Sequence, residues 1–146
     1  MKHIRCNSKS SSPCHCLNLR RASRAVTQFY EKILEPSGLK VTQYSLLRNL
    51  ERVESVSISV LAKIMRIDRT TLNRNMKPLM NAGLIAVNPG EDSRSRQVML
   101  TEVGKAVLVN ALDLWSEAQA SLEEYLGVEE LESLEKSLSK LEALLL

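Results

Sequence analysis

The sequence predicts a mainly α fold with a small β-wing, and three observations carry that expectation. The 146 residues include one Phe, one Trp and three Tyr, so the core must be built from Leu, Val, Ile, Ala and Met, which suits packed helices better than a sandwich. Apolar residues recur at spacings of three and four through most of the chain. Two segments of strand composition, LIAVNP and QVMLT, enclose the polar run GEDSRSR, a gap longer than a tight turn.

The elements follow in order. Residues 1–13 are Ser- and Lys-rich without periodicity and are expected to form a disordered tail. A helix is expected from Leu17, with Leu19, Ala22, Val26, Phe29 and Ile33 on one face and Arg20, Arg21 and Arg24 on the other. The EPSG run at Glu35–Gly38 stops it. Thr42 is the expected N-cap of a second helix holding Tyr44, Leu46, Leu47 and Leu50. Val56-Ser57-Ile58 alternates for long enough to make one rung of a sheet. Ser59 is then expected to cap VLAKIM, with Leu61, Ile64 and Met65 inward.

Asp68 opens the next helix, RTTLNRNMKPLMNA, which Gly83 ends. Two helices joined by a short turn, the second longer and more polar, form the helix-turn-helix pattern. The hairpin that follows is the wing. Thr101 and Glu102 open a long helix with Val103, Val107, Ala111, Leu114, Ala118, Leu122 and Tyr125 or Leu126 in one stripe, and Gly127 breaks it. The last helix carries Leu131, Leu134, Leu138, Leu141 and Leu145 as a heptad-like seam. Unpartnered, that seam would expose an apolar patch that soluble monomers avoid, which points to a second copy of the chain; packing on the first helix would also cover it. The expected organisation is a winged helix-turn-helix over 37–101, an N-terminal dimerisation helix over 14–36 and C-terminal dimerisation helices over 102–146.

The net charge of +3 conceals a division: residues 1–58 carry +6, residues 59–101 carry +4 and residues 102–146 carry −7. A polyanion would dock on the basic part. No apolar run approaches the ~20 residues that cross a bilayer, and the basic N-terminus lacks the apolar stretch of a secretory signal, so a cytoplasmic protein without membrane contact is expected. There is no Gly-rich phosphate loop or paired metal-ligand motif, and both histidines fall near the N-terminus, so neither catalysis nor a cofactor or metal is expected.

The chemistry gathers on the helix after Asp68. Leu72, Met76, Leu79 and Met80 are assigned to the core, leaving Arg69, Thr70, Asn73, Arg74 and Lys77 for the opposite face. Arg and Asn make bidentate bonds to guanine and adenine edges, Thr meets the thymine methyl, and Lys pairs with phosphate. An ordinary solvated face would mix in carboxylates, yet none occurs between Asp68 and Glu91. Pro78 lies inside this helix, and the sequence leaves open whether it kinks the helix or ends it at Lys77. Beside a major-groove helix, a wing overlies the minor groove, whose negative potential draws in arginine. Arg94 is the residue expected there, with Asp92 bracing the tip and Arg96 meeting a phosphate. The competing reading is a winged-helix adaptor that binds other proteins through its acidic C-terminal part.

The run D-x-R-S-R-x-V-x-L-T-x-x-G at Asp92–Gly104, preceded by LAKIMRIDRTTLNRNMKPLMNAGLI, resembles the MarR family of bacterial winged-helix transcription regulators, and the likeness extends over nearly everything from Cys16 onward. The resemblance implies a homodimer interlocked through its first, fifth and sixth helices. It further implies binding to palindromic double-stranded DNA, usually as a repressor, and release by a small-molecule effector or an oxidant.

Cys6, Cys14 and Cys16 all lie in the first sixteen residues. The C-H-C run is poorly spaced for a tetrahedral metal site, and a buried structural role for Cys16 remains open. The third reading is redox sensing: by resemblance, Cys16 occupies the place of the reactive cysteine in organic-hydroperoxide-sensing members of the family. A helix N-terminus favours thiolate there, and Arg20 follows one turn on. Cys14 or Cys6 would be its resolving partner. Those members hold the thiolate with tyrosines of the partner subunit; Tyr30 falls at one matching position, while Val41 stands where a second tyrosine is expected.

Overall fold

The structure, a computed structural model, describes residues 11–89 and 95–145. Helix α1 (His15–Leu34) runs into a 3-10 turn (Glu35–Ser37) and is followed by α2 (Val41–Val53), β1 (Ser55–Ser57), α3 (Ile58–Met65) and α4 (Arg69–Asn81). Strands β2 (Ile85–Asn88) and β3 (Gln97–Leu100) precede α5 (Glu102–Leu126), α6 (Val128–Glu142) and a last 3-10 turn (Ala143–Leu145). The fold is mainly α with a small sheet, as the sequence predicts.

The sheet order is β1-β3-β2 with both pairings antiparallel. Its register sets Ile85 opposite Leu100 and Asn88 opposite Gln97, while Val56 pairs with Val98 on the other side of β3. The single rung read from the sequence is therefore a real strand, shifted one residue toward the N-terminus. Val98 is central and fully buried, and its alternation with the half-buried Gln97 and Met99 fixes which face of the small sheet meets the helices.

The helix starts show where local signals compete. Ser57, not Ser59, caps α3, its hydroxyl accepting the Val60 N–H at 3.2 Å. Capping needs an extended residue, and Ser57 is the last residue of β1 with φ −68° and ψ 153°, whereas Ser59 is already helical. Helix α2 begins before Thr42: Lys40 is the boundary residue, and the Gln43 side chain reaches back to accept its N–H at 2.9 Å. Asp68 caps α4 as expected. Helix α4 then runs through Pro78 to Asn81, so termination at Lys77 is not what happens. Burial of Met76 and Leu79 on either side of Pro78 offsets the backbone bond that proline cannot make. Gly83, at φ 73°, turns the chain out of the helix, and Leu84 donates back to the Leu79 carbonyl at 2.9 Å.

One core joins α2, α3, α4, the sheet and the first half of α5 around Leu46, Leu47, Leu50, Leu61, Leu72, Leu79, Val98 and Leu108. Tyr44 stacks on Trp115 at a ring separation of 5.6 Å, fastening α2 to α5. Three stripe positions are corrected: Ile64, Met80 and Val103 are exposed, while Ile58, Ala62, Gly104 and Leu108 take the buried places. Of the pair Tyr125 or Leu126, it is Leu126 that is half-buried. The cause is the same throughout: a three-or-four spacing marks a stripe but leaves its phase free by about one residue. Helix α1 is different. Only Tyr30 and Leu34 of its residues are buried, against α5, and the stripe containing Leu19, Val26 and Phe29 remains exposed. The α6 leucines Leu134, Leu138 and Leu141 are each about 40% exposed, so the single chain does not cover the seam.

Candidate nucleic-acid interface

Helix α4 is placed by its own cap. Asp68 accepts the Thr71 N–H through Oδ1 and the Thr71 hydroxyl through Oδ2, both at 2.7 Å. These two bonds, the hydroxyl first, hold its carboxyl below the ordinary carboxylate value. Leu72, Met76 and Leu79 anchor one side of α4 in the core. At about 100° per residue, Arg69, Asn73 and Lys77 form one row on the remaining surface and Thr70 and Arg74 an adjoining row, spanning about 12 Å of axis. All five are exposed.

The ion pairs among the described residues are Arg48–Glu51, Arg66–Glu142 and Lys105–Glu102, so Arg69, Arg74 and Lys77 are not neutralised by a protein carboxylate there. A row of uncompensated cations and amide or hydroxyl groups can meet phosphates and base edges together. Arg96, also exposed, directly precedes β3, and its carbonyl accepts the Ile58 N–H at 3.3 Å, which ties the wing to the start of α3. Arg94 and Asp92 lie outside the described residues.

Among the described residues, Cys14 and Cys16 belong to the start of α1, not to α4. Cys14 bounds the start of α1 and Cys16 is its second helical residue; both are free thiols and exposed. Their approach is fixed by a clamp in which Ser12 N–H donates to Asn18 Oδ1 at 2.9 Å and Asn18 Nδ2 donates to the Ser12 carbonyl at 2.7 Å. The buried reading of Cys16 does not hold in the single chain. Cys6 lies outside the described residues. Tyr30 is about 21 Å along α1 from Cys16, so the two cannot meet within one chain. The Tyr30 hydroxyl instead donates to Gln119 of α5, and burial, with the nearby Glu123 carboxylate, raises its pKa.

One residue left no mark in the sequence pattern, and another does more than its pattern showed. Arg66 ends α3 in the left-handed region at φ 54°, where a turn between helices more often carries Gly, so composition gave no signal. Thr101 does more than cap α5: it accepts the Gly104 N–H at 3.0 Å and donates to the Gly83 carbonyl at 2.6 Å, so one hydroxyl joins the end of α4 to the start of α5.

Comparison with known proteins bears on the same region. Residues 37–95 match the MarR family model. The organic hydroperoxide resistance transcriptional regulator of Bacillus subtilis is 29% identical over 100 residues, covering 68% of each chain. The transcriptional regulator MosR of M. tuberculosis, solved in complex with DNA, is 35% identical, covers 91% of this chain and 99% of its own, and superposes with a TM-score of 0.78. A cysteine-to-serine mutant of MarR from E. coli, complexed with operator DNA, has a TM-score of 0.77 at 21% identity over 86% of this chain and 91% of its own, a likeness of fold. Those relatives are regulators rather than enzymes. Matched across its helix-turn-helix by the family model and along nine tenths of its length by a regulator, the chain belongs to the MarR family of transcriptional regulators.

Proposed function

We propose that the chain is a sequence-specific double-stranded DNA-binding regulator, a homodimeric repressor of the cytoplasm that a small ligand or cysteine oxidation releases from its operator. The observation that carries this reading is the outer face of α4, where Arg69, Thr70, Asn73, Arg74 and Lys77 stand exposed and free of carboxylate partners among the described residues. The DNA complexes of MosR and MarR support it, and nothing in the comparisons favours the adaptor. The exposed apolar stripe of α1 and the leucines of α6 supply the surface that a second copy would cover.

In this reading Arg69, Thr70, Asn73 and Arg74 meet base edges, Lys77 and Arg96 meet phosphates, and Arg94, braced by Asp92, enters the minor groove. Two copies set half-sites of a palindrome about 34–36 Å apart. The test is selection of bound duplexes from a random pool, followed by gel shift of Arg74→Glu. Loss of binding with the dimer intact is expected; full binding by Arg74→Glu defeats the assignment of α4. Arg94→Ala is expected to weaken binding most where the operator flank is A·T-rich.

The oxidant arm rests on two exposed thiols at the head of α1 and on the name of the B. subtilis relative. The Cys16 thiolate takes the outer oxygen of a hydroperoxide, becoming a sulfenic acid as the alcohol leaves. The Cys14 thiol then displaces water to give a disulfide. Tyr30 of the partner subunit would contribute only across a dimer interface. Peroxide should release DNA from the native chain and not from Cys16→Ser; release from both refutes the redox arm and leaves the ligand arm.

A further inference from the structure

Among the described residues, an ion pair ties the helix-turn-helix to the end of α6. Arg66 Nη1 lies 3.0 Å from Glu142 Oε2. The partners are 76 residues apart in sequence, whereas the other two ion pairs among the described residues join neighbours three apart on one helix. Arg66 is the turn residue between α3 and α4, two positions before the Asp68 cap, and its left-handed backbone is fixed by bonds to the Ala62 and Lys63 carbonyls. Glu142 is the last residue of α6, where the helix dipole disfavours a carboxylate, so a cation is the partner that position calls for. Both side chains are well exposed, 70% and 58%.

An exposed pair adds little to the stability of a fold, yet a bias of that small size is enough to shift two nearly equal orientations of one part against another. What the pair joins is specific: the turn that presents the α4 face, and the helix whose leucine seam is left for a second copy. From this we infer that Arg66 and Glu142 are positioning residues that set the angle of α4 against the dimerising helices, and so the half-site spacing the dimer accepts. The inference rests on the proposed function, since spacing has meaning only for a DNA-bound dimer.

The experiment uses the full-length chain and a palindromic duplex selected by the native protein, remade with zero, one or two base pairs added or removed at its centre. The readout is the ratio of affinity for the best spacing to affinity for its neighbours. Glu142→Gln, which removes a residue that has no reason to touch DNA, is expected to lower that ratio about two- to five-fold, the scale of an exposed ion pair. Arg66→Gln should do the same. The exchange Arg66→Glu with Glu142→Arg should restore the ratio even though its overall affinity falls. If Glu142→Gln raises affinity for every spacing equally, Arg66 is only a phosphate contact competing with Glu142, and the inference is overturned. An unchanged profile overturns it too. If the native chain selects no duplex at all, the proposed function fails along with it, a result distinct from a selected duplex whose spacing ignores Glu142.

Discussion

A methyl group on Gly104 would lie 2.0 Å from the Leu84 carbonyl oxygen. That oxygen already accepts the Thr101 N–H at 3.1 Å, so α5 starts in direct backbone contact with the entry to the wing. The obstacle is main chain on both sides and no side-chain rotation relieves it. Gly104→Ala is therefore expected to destabilise the fold by about 1–3 kcal/mol, the scale of an overpacked core. A urea titration checks this; an unshifted midpoint would mean that the α5–wing contact has slack.

The Tyr44 hydroxyl is buried without a hydrogen-bond partner among the described residues. Burial raises its pKa, against the opposing pull of the Arg48 and Arg52 cations. An unpartnered buried hydroxyl costs about 1–3 kcal/mol, and Tyr44→Phe removes it while keeping the stack on Trp115. The variant should be as stable as the native chain or more so. Tyr44→Ala, which empties the stack, should lose about 3–5 kcal/mol and alter the Trp115 fluorescence.

On α4 the residue types predict different losses. Arg74→Ala should weaken operator binding about 5- to 150-fold and relax preference at one base pair, as for a lost bidentate contact of 1–3 kcal/mol. Lys77→Ala should weaken all duplexes alike and flatten the salt slope by about one unit. If the dimer neutralises ~6–10 phosphates, native affinity should fall ~10³–10⁵-fold between 50 and 200 mM salt. Binding insensitive to salt would contradict a phosphate interface.

Asp68 makes the cap pH-dependent. Its folded pKa is lowered, chiefly by the Thr71 hydroxyl and then by the Thr71 N–H. The carboxylate therefore stabilises the fold above its unfolded pKa, and that contribution is lost as pH falls through the folded value. Thermal melting followed from ~pH 5 downward should show Asp68→Asn, which can still accept the N–H, less sensitive to acid than the native chain. Asp68→Ala should melt lower at neutral pH as well. Parallel acid profiles for native and Asp68→Asn chains would remove this residue from the account.

The helix-turn-helix, the wing after it, the Asp68 and Thr101 caps and the chemical character of the α4 face are all legible along the chain. Each is encoded within a few neighbouring residues, as an extended polar residue before an apolar stripe, a glycine stop, or an absence of carboxylates. Packing between elements settles which side of each stripe is buried, so Met80 and Ile64 lie outward and Gly104 and Leu108 inward, because helical phase is set by the element opposite. It alone decided that α4 continues through Pro78, where buried Met76 and Leu79 outweigh a missing bond. It alone joined Arg66 to Glu142 and Gly104 to Leu84, since contacts between distant segments depend on how the chain returns on itself and leave no periodic trace along it.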